Sequence, residues 1–200
     1  ISKKIQKKIL DKFKKISNDL DLLIFSDFSY GCLPKDLINE IIDLAKKNKI
    51  IIASDSQSSS QVGDIIKFKN SDLICVTERE ARMAVKNFDD GLVILLDELR
   101  ELAKPKNIIL KLGQEGALVQ SEDQINQNWI VDKIISQNTN PLDVAGAGDS
   151  MLISSALSLA SGANIWEASV IGSIAASIQI SRIGNVPIKD TELIKYVNLI

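Results

Sequence analysis

The sequence predicts an α/β protein built on a mostly parallel sheet, and three observations carry that expectation. Short β-branched apolar runs alternate with amphipathic helical stretches from residue 22 to about residue 112, the pattern of strands covered on both faces by crossover helices. Beyond residue 148 only helical periodicity remains. Two hundred residues suffice for one such domain with a substantial core. The chain therefore reads as a single α/β domain over 1–200, with a lead-in helix over 1–20, a sheet portion over 21–139, and a glycine loop with helices over 140–200.

Each element has a local reason. Ile5, Ile9, Phe13 and Ile16 recur at helical spacing among lysines, which predicts an amphipathic helix with a solvated basic face. The run from Leu22 to Phe25 reads as a buried strand. Pro34 opens a helix where its missing N–H does no harm, and Leu37, Ile38, Ile41, Ile42 and Ala45 form its apolar face. Ile50 to Ala53 is too short for a helix and rich in β-branched residues, hence a strand. The polar segment from Asp55 to Gln61 is expected as a loop. Strand Leu73–Val76, helices Glu78–Phe88 and Leu92–Leu102, and strands Ile108–Leu112 and Ala117–Gln120 follow, the last two around a tight Gly113–Gly116 turn. Trp129–Val131 adds a short strand. Met151–Ala160, Ile165–Ile183 and a piece from Asp190 onward read as helices.

Composition excludes several kinds of chemistry. Lys+Arg of 24 against Asp+Glu of 26 gives a net charge of −2, so no field for nucleic acid or acidic membranes is built in. Aromatics make up 4%, too few for a base-stacking surface. There is no histidine, which removes Ser-His-Asp catalysis, His-ligated zinc and a histidine general base. Cys32 and Cys75 form no CxxC or metal pattern and read as buried reduced thiols of a cytosolic protein. No apolar run reaches membrane-spanning length, and the Lys-rich start lacks the apolar stretch of a secretory signal. A soluble, cytoplasmic protein is expected.

The most informative segment is Asn140-Pro141-Leu142-Asp143-Val144-Ala145-Gly146-Ala147-Gly148-Asp149-Ser150. Two glycines one residue apart let the backbone approach a ligand closely. A helix starts directly afterwards, so its unpaired N–H groups and positive dipole end serve the same loop. That combination suits a phosphoryl group, and Asp149 stands where it could take a proton from an attacking hydroxyl. A Gly-rich turn with an Asp cap is the blander alternative. A Walker loop needs Lys-Ser or Lys-Thr after its last glycine, where this chain has Asp149-Ser150. A dinucleotide fingerprint needs a small residue at 151, where Met151 sits, and a strand before the loop.

Asp143-Val144-Ala145-Gly146-Ala147-Gly148-Asp149 resembles the C-terminal signature of the ribokinase-like (PfkB) carbohydrate kinases, whose usual form is D-T-x-G-A-G-D. The order of elements from Leu22 to Pro187 is similar to that family too, which implies a ribokinase-like three-layer sandwich. The kinases of heptose phosphates look nearest, with Gly31-Cys32-Leu33 standing near their Gly-Leu pair. The resemblance implies ATP-dependent phosphotransfer to a hydroxyl of a sugar or sugar phosphate. Asp149 would be the catalytic base, with the N–H groups of Gly146, Ala147 and Gly148 as the anion hole. Lys111, Gly113, Gly116, Ser173 and Ser177 would lie beside ATP. Thr77 and Glu80, in Thr77-Glu78-Arg79-Glu80, match the family's N-x-x-E motif for Mg²⁺. Asp143 and the Ala145 carbonyl, with backbone near Gly184, would border a monovalent cation such as K⁺. Asp27, Asp55 and Gln57, at strand ends, would meet the sugar.

Departures from the family pattern qualify these roles. Thr77 replaces the expected Asn, Lys111 stands where a Thr is common, and Asp55-Ser56-Gln57 replaces a D-P-K triplet, leaving Gln57 without charge. Family members are longer, so the front of the enzyme, with its lid and most sugar-binding groups, is expected to be missing and this chain alone to turn over little sugar. The rival expectation is a non-catalytic nucleotide-binding or interaction domain of a bifunctional protein. No nucleic-acid or membrane partner is expected, and a homodimer is left open.

Overall fold

The computed structural model describes residues 1–58, 61–123, 128–138 and 140–198. The chain divides into two compact units, residues 1–108 and 109–200.

The first unit opens with α1 (Lys3–Ile16), capped by the Ser2 hydroxyl, and a 3₁₀ turn (Ser17–Asp19). Strand β1 (Leu22–Asp27), helix α2 (Lys35–Lys47), strand β2 (Ile51–Ser56), a 3₁₀ turn (Ile65–Lys67) and strand β3 (Leu73–Thr77) follow. Helices α3 (Glu78–Val85) and α4 (Leu92–Ala103) complete it, and β4 (Asn107–Lys111) carries the boundary between the units. Strands β1 and β2 pair in parallel from Leu22↔Ile51 to Asp27↔Ser56, and β2 and β3 pair in parallel through Ala53↔Leu73 and Ser54↔Ile74. The core comprises the predicted face of α2, with Leu37, Ile38, Ile41, Ile42 and Ala45 all buried, and Leu95, Leu96 and Leu99 of α4. Phe25 and Phe68 add a tilted ring pair 5.1 Å apart. Burying one such aliphatic side chain contributes about 1.5–3 kcal/mol.

Several features differ from the sequence expectation. Of the two cysteines expected to be buried, Cys75 is and Cys32 is exposed, because it lies in the turn after β1 rather than on a packed element. In α1 the buried residues are Leu10 and Phe13, while Ile5, Ile9 and Ile16 are exposed. Leu10, Phe13 and Ser17 share an equally helical spacing, and that side turns inward. Strand β2 runs on through Asp55 and Ser56, both buried, rather than giving way to a loop. Its parallel neighbour β1 continues alongside, and the Gln57 N–H still donates to the Asp27 carbonyl at 2.8 Å. Of the expected loop, residues 59 and 60 lie outside the described residues. Helix α3 stops at Val85 rather than Phe88, because Lys86 takes a left-handed conformation at φ 61°.

The second unit holds a 3₁₀ turn (Gly113–Glu115), then strands β5 (Ala117–Asp123) and β6 (Asn128–Ile134), paired antiparallel from Ala117↔Ile134 to Asp123↔Asn128. Helices α5 (Ala147–Ala160), α6 (Ile165–Ile180) and α7 (Asp190–Val197) follow. Gly116, at φ 92°, turns the chain between β4 and β5 where a Cβ would strike the Ile134 carbonyl. Asn164 and Glu167 cap α6 reciprocally, each side chain accepting the other's backbone N–H at 3.0 Å. Helix α6 ends three residues before Ile183, and Arg182 beyond it pairs with Glu192 at 3.1 Å. No helix among the described residues is long and apolar enough to cross a membrane.

Candidate active site

The glycine loop is held from both sides before it reaches α5. The Leu142 N–H donates to the Ile180 carbonyl at 2.8 Å. Asp143 accepts the Ala145 N–H at Oδ1 (3.0 Å) and the Gly184 N–H at Oδ2 (2.9 Å). Those two donors hold its carboxyl below the usual carboxylate range. Gly146 then adopts φ 77°, a conformation that strains any other residue, and a Cβ there would meet the Asn185 amide.

Helix α5 begins inside the signature, at Ala147, rather than after it. Gly148 and Asp149 are thus its second and third residues. First-turn N–H groups have no carbonyl four residues back within the helix. The Ala147 N–H, expected in the anion hole, is instead given to the Val144 carbonyl at 3.3 Å. Gly148 lines the cavity described next.

Lys111, at the end of β4, brings its ammonium to the same place. A Cβ on Gly148 would lie 3.1 Å from Lys111 Nζ. A cation and the positive end of a helix share this spot, which suits a bound anion. Both line a cavity of about 230 Å³ that also includes Gly113, Gly116, Ser173 and Ser177. All five residues expected beside the nucleotide are therefore brought together with Ala147 and Gly148. Sequence reasoning missed the rest of the lining, including Asn138, Val144, Met151 and Ile180. An apolar residue bordering a cavity has the same helical spacing as one bordering the core, so no sequence signal separates them.

The expected monovalent-cation site has a different occupant. The carbonyls of Ala145 and Gly184 both accept from Nε2 of Gln179, at 3.2 and 3.0 Å. Both Asp143 oxygens are engaged as described above. The Gln179 amide nitrogen sits where the Ala145 and Gly184 carbonyls converge, a poor fit to a resident ion at that point.

In the first unit, Asp27, Asp55 and Gln57 lie at the carboxyl ends of β1 and β2, the usual ligand end of parallel strands. Asp27, 3% exposed, pairs with Lys67, 10% exposed, and accepts both the N–H and the hydroxyl of Ser29 at 3.1 Å. Burial pushes its carboxyl up, but the bonds from Lys67 and Ser29 together outweigh that and hold it below its ordinary value. The Lys67 partnership was not legible in the sequence. One lysine in the run Asp64-Ile65-Ile66-Lys67-Phe68 carries no sign of a partner forty residues away. Ser56 sits beside this pair and accepts the Asp64 N–H at 3.1 Å.

Thr77 and Glu80 form a reciprocal cap on α3. The Thr77 hydroxyl accepts the Glu80 N–H at 3.3 Å, and Glu80 Oε2 accepts the Thr77 N–H at 2.8 Å. Oε1 of Glu80 accepts the Ser58 N–H at 3.1 Å. Among the described residues no three Asp, Glu, Cys or His side chains gather as a metal cluster. A carboxylate keeps further lone pairs after two such bonds, so Glu80 fits the holding of metal-bound water and not direct chelation. The replacement of Asn by Thr at 77 is compatible with that cap, since a hydroxyl accepts the same N–H.

The sequence family described as pfkB family carbohydrate kinase matches residues 2–191. This chain belongs to that family. Among curated proteins, the bifunctional protein HldE of Aliarcobacter butzleri is 26% identical over 200 residues, covering 98% of this chain and 40% of its own length. That of Campylobacter fetus is 28% identical over 180 residues, 88% of this chain and 37% of its own. The chain spans about two fifths of the curated relatives it matches. Among solved structures, phosphofructokinase-2 from Escherichia coli in complex with potassium superposes with a TM-score of 0.80 at 20% identity, over 100% of this chain and 63% of that one. A ribokinase from Thermotoga maritima gives 0.74 at 22%, over 96% and 61%. The expected ribokinase-like α/β fold is thereby met.

Proposed function

We propose that the chain carries the nucleotide-binding and phosphoryl-transfer machinery of a kinase that moves the terminal phosphoryl of ATP to a hydroxyl of a sugar or sugar phosphate. The observation that carries this reading is the convergence of the Lys111 ammonium and Gly148 of α5 on one cavity shared with Gly113, Gly116, Ser173 and Ser177. In it, Lys111 and the first-turn backbone of α5 hold the phosphates, and the transferred group gains charge compensation as it separates. Val144, Met151 and Ile180 supply an apolar wall for the base. Asp149 accepts the hydroxyl proton. It can do so late, because a loose phosphoryl-transfer transition state needs positioning more than early deprotonation. Glu80 is the residue that would hold metal-bound water, and Mg²⁺ would supply compensation of phosphate charge. Asp27, Asp55 and Gln57 are the acceptor-side groups.

A heptose phosphate is the acceptor this reading favours, on the strength of the HldE relatives. With Gln57 uncharged, its phosphate would be held by other groups. The protein works in the cytoplasm, where ATP and sugar phosphates are available.

The test is calorimetric titration with a non-hydrolysable ATP analogue and Mg²⁺, for the native chain and Gly148→Val. Binding by the first and none by the second supports the phosphate cradle. Equal binding by both removes it. A second reading is favoured by the word bifunctional in the relatives' names: a nucleotide-binding or interaction domain without turnover, joined to another activity. Substitution of Asp149 separates the two.

A further inference from the structure

We propose that the side-chain amide of Gln179 takes the place of a monovalent cation beneath the glycine loop, so that this protein needs no potassium there. A monovalent cation is typically held by converging carbonyl oxygens around a positive centre. Here the converging carbonyls are those of Ala145 and Gly184, and the centre is Nε2 of Gln179, 3.2 and 3.0 Å away. An amide NH₂ has two donors, and the two carbonyls take one each. With Nε2 toward the carbonyls, donors meet acceptors, whereas Oε1 facing them would need a cation between. Gln179 is 1% exposed, so an unmatched amide at this position would be costly and the side chain does not swing into water.

The negative charge that a cation would offset is handled by the same two residues. Asp143 accepts the Ala145 N–H and the Gly184 N–H. The N–H and C=O groups of both Ala145 and Gly184 thus bond to two side chains, Asp143 and Gln179, and the Gly184 carbonyl also accepts the Val186 N–H at 3.1 Å. This clip ties the turn after α6 to the residue preceding Gly146, whose φ of 77° starts α5. An ion placed between these two carbonyls would compete with the Gln179 amide.

The test reads thermal unfolding of the chain in potassium chloride against choline chloride at equal ionic strength, without nucleotide, so it stands whether or not ATP binds. A cation that binds only the folded state raises the midpoint by mass action. The expected result is the same midpoint in both salts. A potassium-specific rise in the native protein overturns the proposal, and needs no variant to be seen. Gln179→Ala is expected to lower the midpoint by roughly 4 °C in choline and to recover part of it in potassium alone, as the ion enters the vacated place. Gln179→Met fills the space without donors and is expected to fall without potassium recovery. Absence of potassium-specific recovery in Gln179→Ala reduces Gln179 to an ordinary tertiary hydrogen bond and also overturns the proposal.

Discussion

The ammonium of Lys111 reaches within 3.1 Å of the point where a side chain on Gly148 would begin. Gly148 is therefore the residue whose missing Cβ leaves room for the cation, and each explains the other. Lys111 comes from the end of β4 and Gly148 from the first turn of α5. Their meeting converts a common feature, a helix start, into a specific one, since a cation and a helix N-terminus together favour an anion.

Replacing Lys111 by Met keeps most of the side-chain volume and removes the charge. Affinity for an ATP analogue, measured by calorimetry, is expected to fall about tenfold to a hundredfold. The loss should shrink at high salt, which screens the native contact. An unchanged affinity would place Lys111 outside the phosphate site.

Asp149→Asn keeps shape and removes the proton acceptor. In a longer protein that contains this chain, sugar-dependent ADP formation is expected to fall by about 10²–10⁴-fold, with nucleotide affinity unchanged. Unchanged turnover would make Asp149 an α5 cap. If no acceptor supports turnover in the native protein and the substitution alters nothing measurable, the binding-domain reading gains.

Glu80 has two separable duties. Glu80→Gln retains an oxygen for the Thr77 N–H but turns an NH₂ toward the Ser58 N–H, so the stability cost is expected to be about 1 kcal/mol. Its lost charge should raise the Mg²⁺ concentration needed for half-maximal nucleotide binding. Glu80→Ala should show both effects. If Glu80→Gln binds nucleotide with the native Mg²⁺ dependence, the residue is a cap alone.

Much of the fold was legible because its causes are local. The apolar face of α2 repeats at helical spacing, and all five of its predicted residues are buried. The nucleotide residues were legible through the glycine signature and the resemblance it carries. What escaped reading depends on partners distant in sequence. Asp55 and Ser56 look like loop residues until β1 is known to run beside them. The pairing of Lys67 with Asp27 spans forty residues, and Gln179 is one polar side chain in an apolar helix whose carbonyl partners lie thirty-four and five residues away. The side of α1 that turns inward was ambiguous for another reason: two interleaved apolar stripes occupy one helix, and only packing chooses between them.

The Asp27–Lys67 pair yields a stability prediction with a definite sign. Asp27 is buried and the Lys67 side chain is 10% exposed, so removing Lys67 strands a buried carboxylate, and Lys67→Met is expected to cost about 3 kcal/mol in denaturant unfolding. The double substitution Asp27→Asn with Lys67→Met should cost less than Lys67→Met alone, since no charge is stranded. The carboxyl of Asp27 sits below its ordinary value in the folded state, so its contribution is complete above the unfolded value near 3.8. As pH falls through the folded value, that contribution disappears. The native protein should therefore lose stability steeply below about pH 4, and the double variant less steeply. Parallel acid unfolding curves for the two proteins would mean that Lys67 does not hold Asp27 ionised, and would return Asp27 to the acceptor-binding role alone.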